Sequence, residues 1–140
     1  MGNAWKRLLR GQGMIVGMGT DIVDIDRIRA GLERHGRRYA AKILTSAELE
    51  LLAPADSLPA ASRLAGRFAA KEAAVKALGT GFSDGIGLHD VEILADPHGK
   101  PLLIFAARAE ARRLELGARR SHISISHERQ HAVALVILED

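Results

Sequence analysis

The sequence predicts an α+β chain, an antiparallel sheet of hairpins packed on one long central helix. Three stretches carry that prediction. Residues 62 to 78, SRLAGRFAAKEAAVKAL, are strong helix formers with no proline inside and a glycine stop at Gly79. Residues 89 to 95 and 101 to 106 alternate apolar and polar around the turn Asp96-Pro97-His98-Gly99, which reads as a hairpin. HISISHE, a turn at Arg129 and Gln130, and then HAVALVILE read as a second hairpin.

The size and composition suit one domain. The chain has 140 residues, 47% hydrophobic, enough for one real core and too little for two ordinary ones. No apolar run reaches the roughly 18 residues of a membrane span, so no membrane association is expected. Cysteine is absent, which excludes disulfides and thiolate metal sites and fits a reducing cytoplasm. The net charge of +3 favours an anionic partner. Aromatics make up only 4%, which argues against a base-stacking platform, and no nucleic-acid partner is expected.

Taken in order, residues 1 to 13 form a basic extension around Lys6, Arg7 and Arg10, set apart from a single domain over residues 14 to 140. From Met14, Ile15, Val16 and Met18 around two glycines suggest a strand with close backbone neighbours, and Asp21 lies towards its end. Asp24 and Asp26 precede a helix over about 25 to 36, with Ile25, Ile28 and Leu32 at helical spacing and Gly36 as its stop. Arg27 and Arg34 lie seven apart on it, and Arg37 and Arg38 continue the basic side. A further helix starts near Thr45, where Thr45-Ser46-Ala47-Glu48 resembles a capping box, and Pro54 and Pro59 bracket the break before the central helix.

The central helix is apolar almost all round. Leu64, Phe68, Val75 and Leu78 form one stripe, and Gly66, Ala69, Ala70, Ala73, Ala74 and Ala77 form most of the opposite face. Arg67, Lys71, Glu72 and Lys76 are the exceptions, and charges in such a place must be paired or bound. An ordinary Glu72–Lys76 pair at i,i+4 is one account of them. The other is an anion and metal site, which needs a second carboxylate from elsewhere. After Gly79, GTGFSDGIG is a glycine-rich loop whose amides could face phosphate oxygens. AARAEARRLELG is a short helix, and the strand over 132 to 138 is apolar on both faces, so it is either central in a sheet or covered by another subunit.

Three motifs stand in order: GMGTDIVDI at 17 to 25, RFAAKEAAVKALGTG at 67 to 81 and SISH at 124 to 127. Together they resemble the holo-(acyl-carrier-protein) synthases, the short 4'-phosphopantetheinyl transferases. The resemblance spans residues 14 to about 139 and implies an α+β fold. It implies transfer of 4'-phosphopantetheine from coenzyme A to a serine of apo acyl carrier protein, with release of adenosine 3',5'-bisphosphate, in support of fatty-acid synthesis. The implied cofactor is Mg²⁺ on Asp21 and Glu72, with Lys76 at the pyrophosphate and those three residues as the catalytic set.

Arg67, Lys71, Lys76 and His127 are the implied coenzyme A ligands, and Arg27, Arg34 and Arg37 the basic face that meets the acidic helix of the carrier protein. The family's short members form homotrimers with active sites between subunits, which is the expectation here. A non-catalytic carrier-protein binding module is the competing expectation, and intact Asp21, Glu72 and Lys76 speak against it.

Overall fold

The computed structural model describes residues 13–140, so the basic extension over 1 to 13 lies, except for its last residue, outside the described residues. Strand β1 (Ile15–Asp24) opens the fold and hands directly into α1 (Ile25–His35). Asp24 caps α1, its carboxylate accepting from the Asp26 amide at 2.9 Å, and Gly36 ends the helix at φ 59°. The buried face of α1 is Ile25, Ile28 and Leu32, as the spacing predicts.

A second helix, α2 (Arg37–Ile43), follows at once and buries Ala40 and Ile43. It is absent from the sequence reading because its N-cap is Gly36, which has no side chain to announce a start. The predicted capping box is present on α3 (Ser46–Leu51): Thr45 accepts from the Glu48 amide, and Glu48 accepts from the Thr45 amide at 2.8 Å.

The central helix, α4 (Leu58–Ala77), begins four residues before the predicted start. Pro59 belongs to its first turn and not to the break before it, because a proline there forfeits only an amide that has no intrahelical partner. Leu64, Val75, Leu78 and all five predicted alanines are buried, while Phe68 is half-buried.

Beyond the loop over 79 to 87 and a 3₁₀ turn at Leu88–Asp90, strands β2 (Val91–Ala95) and β3 (Pro101–Phe105) make the first predicted hairpin. Helix α5 (Ala107–Leu116) then leads to β4 (Arg120–His127) and β5 (His131–Glu139), the second hairpin. The two hairpins belong to separate antiparallel sheets, β2-β3 and β1-β5-β4, so β5 is a central strand, one of the two positions its apolar faces allowed.

Helix α4 covers one face of the β1-β5-β4 sheet. Ala132, Ala134, Val136 and Leu138 of β5 are fully buried on that side. Close approach depends on two glycines of β1: a Cβ at Gly17 would stand 2.0 Å from the Ala77 carbonyl oxygen, and one at Gly19 would stand 2.0 Å from that of Ala73. The other face of the sheet is open, with Met18 60% and Ile22 63% exposed beside Val133. Such apolar residues in register on one face are candidates for cover by another surface.

Candidate active site

The contact between β1 and α4 brings Asp21 of the strand to Glu72 and Lys76 of the helix, some fifty residues further along the chain. The Lys76 ammonium donates to the Asp21 carboxylate at 3.0 Å and to the Thr20 carbonyl at 3.0 Å. Lys76 therefore pairs with Asp21 across the strand and helix, in place of the i,i+4 partner Glu72. Glu72, half-buried on the same helix, has its carboxyl pKa pushed up, first by burial and then by the charge of Asp21, with Lys76 pulling it back down.

A carboxylate near enough to disfavour the charge of Glu72 makes with it a good seat for a cation. Among the described residues there is no cluster of three or more His, Asp or Glu able to hold a metal. A pair of carboxylates suits a hard divalent cation such as Mg²⁺, which keeps waters and substrate phosphates for the remainder of its shell.

The sign of the Glu72 shift gives a test that does not depend on turnover. With its folded pKa raised, the stability contributed by Glu72 is present below the ordinary glutamate value of about 4.3 and is lost as pH rises through the raised value. Glu72 is then ionised beside Asp21, and a divalent cation relieves it. Saturating Mg²⁺ should raise the melting temperature at about pH 7, by the equivalent of about 2.7 kcal/mol at a hundred times Kd, and have little effect at about pH 4. Melting curves with and without the metal check this, and equal shifts at both pH values would count against the pair as a metal seat.

The remaining basic residues divide. Arg67 and His127 line one cavity of about 450 Å³, together with Arg63, Ser62, Gly66 and Ile125. His127 reaches it because it shares the face of β4 that carries Ile123 and Ile125, while Ser124 and Ser126 are exposed, as the alternation predicts. Arg63 is a residue that the sequence reading missed, although it stands one turn before Arg67 on the helix already identified. Burial lowers the pKa of the Arg67 guanidinium, and Glu48 in the cavity wall partly offsets that.

Lys71 does not join them. Its ammonium is fully buried, donating to Glu48 at 2.7 Å and to the Leu88 carbonyl at 2.9 Å, so it is not available to a coenzyme A phosphate. Desolvation lowers its pKa, and the hydrogen bond it donates to Glu48 opposes that shift. The glycine-rich loop is likewise turned inward in part: the Thr80 and Gly81 amides both donate to the Val75 carbonyl, and Gly79 donates to Lys76, so these three do not face a phosphate. Arg27, Arg34 and Arg37 are exposed, the first two on α1 and the third at the start of α2.

The Asp21–Glu72–Lys76 cluster and the Arg63–Arg67–His127 cavity lie on different sides of α4. At about 100° per residue, Glu72 is turned about 140° from Arg67 round the helix axis.

Comparison with known proteins gives a consistent result. The sequence model described as the 4'-phosphopantetheinyl transferase superfamily matches residues 17–136. A holo-[acyl-carrier-protein] synthase of Nitratidesulfovibrio vulgaris is 54% identical over 126 residues, covering 90% of this chain and 99% of that protein. Among solved structures, the synthase of Neisseria meningitidis superposes with a TM-score of 0.78 at 36% identity, over 91% of this chain and 100% of that one. The Helicobacter pylori synthase, determined in complex with coenzyme A, gives a TM-score of 0.73 at 30% identity over 86% of this chain and 98% of its own.

Proposed function

The chain belongs to the 4'-phosphopantetheinyl transferase superfamily, and from that premise we propose how its residues divide the work. It is a transferase that moves 4'-phosphopantetheine from coenzyme A to a serine of apo acyl carrier protein, releasing adenosine 3',5'-bisphosphate. Residues 14–140 form its single catalytic domain, working in the cytoplasm in support of fatty-acid synthesis. The observation that carries the assignment of residues is the meeting of Asp21, Glu72 and Lys76 across the β1–α4 contact.

Asp21 and Glu72 hold Mg²⁺, which when bound supplies Lewis-acid neutralisation of the pyrophosphate. Lys76, held by Asp21 and the Thr20 carbonyl, presents the remainder of its donors to phosphate oxygens. Glu72 accepts the proton of the carrier-protein serine, directly or through a bound water, and its raised pKa makes it a stronger base than an ordinary glutamate. The serine oxygen bonds to the phosphorus next to pantetheine as the bond to the departing nucleotide phosphate breaks. In-line geometry is then a matter of positioning both substrates.

Arg63, Arg67 and His127 bind the phosphorylated nucleotide end of coenzyme A in the 450 Å³ cavity. Because that cavity and the carboxylates lie on different sides of α4, we place the working site between copies of the chain. One copy supplies Asp21, Glu72 and Lys76, and a neighbour supplies Arg63, Arg67 and His127. The open sheet face with Met18, Ile22 and Val133 supports a homotrimer that covers it.

Intact-mass measurement of apo acyl carrier protein, incubated with this protein, coenzyme A and Mg²⁺, tests the whole scheme. A phosphopantetheine mass gain on the acceptor, abolished by EDTA, is expected. No gain across several acceptors, with the protein folded and coenzyme A bound, would leave a binding module in place of an enzyme.

Arg27, Arg34 and Arg37 dock the acidic face of the carrier protein. Arg34→Glu should raise the KM for carrier protein by about tenfold while leaving that for coenzyme A within about twofold, since such charges set association more than chemistry. Parallel steady-state titrations of the two substrates check this, and equal effects on both would remove Arg34 from the docking face.

A further inference from the structure

The buried Glu48–Lys71 pair lies beneath the cavity assigned to coenzyme A and takes no part in the transfer as described. Glu48 lines that cavity from α3, beside Arg63 and Arg67. Glu48 is only 3% exposed and its carboxylate is fully engaged: one oxygen accepts from Lys71 at 2.7 Å and from the Thr45 amide at 2.8 Å, the other from the Ile93 amide at 2.9 Å. Lys71 is 0% exposed and stands one turn along α4 from Arg67.

A negative charge in the wall of a cavity meant for phosphates opposes the ligand, and it competes for whatever arginine is nearest. A carboxylate left unpaired in such a place is strongly unfavourable and draws in any cation within reach.

We propose that Lys71 and Glu48 are a positioning pair for coenzyme A: Lys71 neutralises Glu48 from within the core, so that Arg67 stays turned into the cavity for phosphate. The inference rests on the assignment of that cavity to coenzyme A. Two neighbouring residues of α4 thereby act in separate ways, Lys71 through Arg67 on binding and Glu72 on chemistry. The capping role of Glu48 also serves this end, because the same carboxylate that holds the start of α3 is fixed by it for Lys71. Lys71 touches no substrate.

The test is calorimetric titration of coenzyme A into the full chain, run beside steady-state kinetics, on four proteins: wild type, Arg67→Gln, Lys71→Met and Lys71→Met/Glu48→Gln. Arg67→Gln should weaken coenzyme A about tenfold or more, the loss of one charge-assisted contact. Lys71→Met should weaken it by a similar factor, because Arg67 turns to Glu48. The double variant, with both charges gone, should return to within about threefold of wild type. The KM for carrier protein should stay within about twofold throughout, which a merely structural loss would not allow.

A double variant as weak as Lys71→Met, or a Lys71→Met protein that binds coenzyme A like wild type, overturns the inference. If Lys71→Met does not fold, the double variant decides by itself: near-wild-type affinity supports the pair's role, and a loss equal to that of Arg67→Gln overturns it. An Arg67→Gln protein that binds normally overturns the cavity assignment itself, and that result is distinct from the others.

Discussion

Asp21→Asn should lower turnover by about a hundredfold or more, on the order of 3 kcal/mol of transition-state stabilisation, and leave folding stability almost unchanged. The amide keeps the size of the carboxylate but removes its charge from the metal seat and from Lys76. The lost ion pair contributes little to stability, because Lys76 is half exposed and such pairs are worth about 0–1 kcal/mol. A second consequence can be measured separately. Without the charge of Asp21 beside it, Glu72 loses one of the two influences that raise its pKa, so its titration should move back towards the ordinary glutamate value. Steady-state rates, urea unfolding and the titration of a labelled Glu72 carboxyl would be read together. A variant within tenfold of wild-type turnover would remove Asp21 from the catalytic set.

Gly19→Ala should be the most damaging single-methyl change in the fold. The new Cβ would lie 2.0 Å from the Ala73 carbonyl oxygen and 2.8 Å from the Ala77 amide nitrogen, and both are backbone atoms of α4 that no rotamer change can move. The strand must therefore back away from the helix. Overpacking of this kind costs about 1–3 kcal/mol and more where rigid backbone is struck. Turnover should fall with it, since Asp21 lies two residues along the same strand and meets Lys76 only at this separation. Gly87→Ala is the control: its Cβ would have nothing nearer than Asp90 Oδ2 at 3.9 Å, and stability should stay within about 0.5 kcal/mol. A Gly19→Ala protein that melts like the control would mean that the β1–α4 contact is looser than described.

Local rules made much of this legible in the sequence, and the limits are specific. Hairpin alternation, the Asp24 and Gly36 boundaries of α1 and the Thr45–Glu48 box are short-range patterns, and each appears in the structure as read. The two-sided apolar character of β5 left two positions open, central in a sheet or covered by another subunit, and the structure places it between β1 and β4. What could not be read is the choice of partner over distance. The helical wheel shows that Lys71 must be paired, but its partner is 23 residues away on another helix. Similarly, Lys76 has a ready local partner in Glu72, yet the strand brings Asp21 from 55 residues away and takes it. Arg63 was legible in principle, being an i,i+4 neighbour of Arg67, but only the cavity gives the two a common purpose.

The position of β5 has a consequence for how the protein is made. The strand that holds the sheet together is C-terminal to every other element, and it pairs with β1 from the opposite end of the fold, Ile15 against Glu139 and Asp24 against His131. More than 100 residues must leave the ribosome between those two strands, which at 5–20 residues per second is a delay of roughly 5 to 20 seconds. Throughout that interval β1 has no strand partner, and Met18 and Ile22 stand on an unpaired edge. Slower translation of the segment between them would lengthen exposure to aggregation without changing the final structure, so the yield of soluble protein should depend on codon speed in a region remote from the catalytic residues of β1.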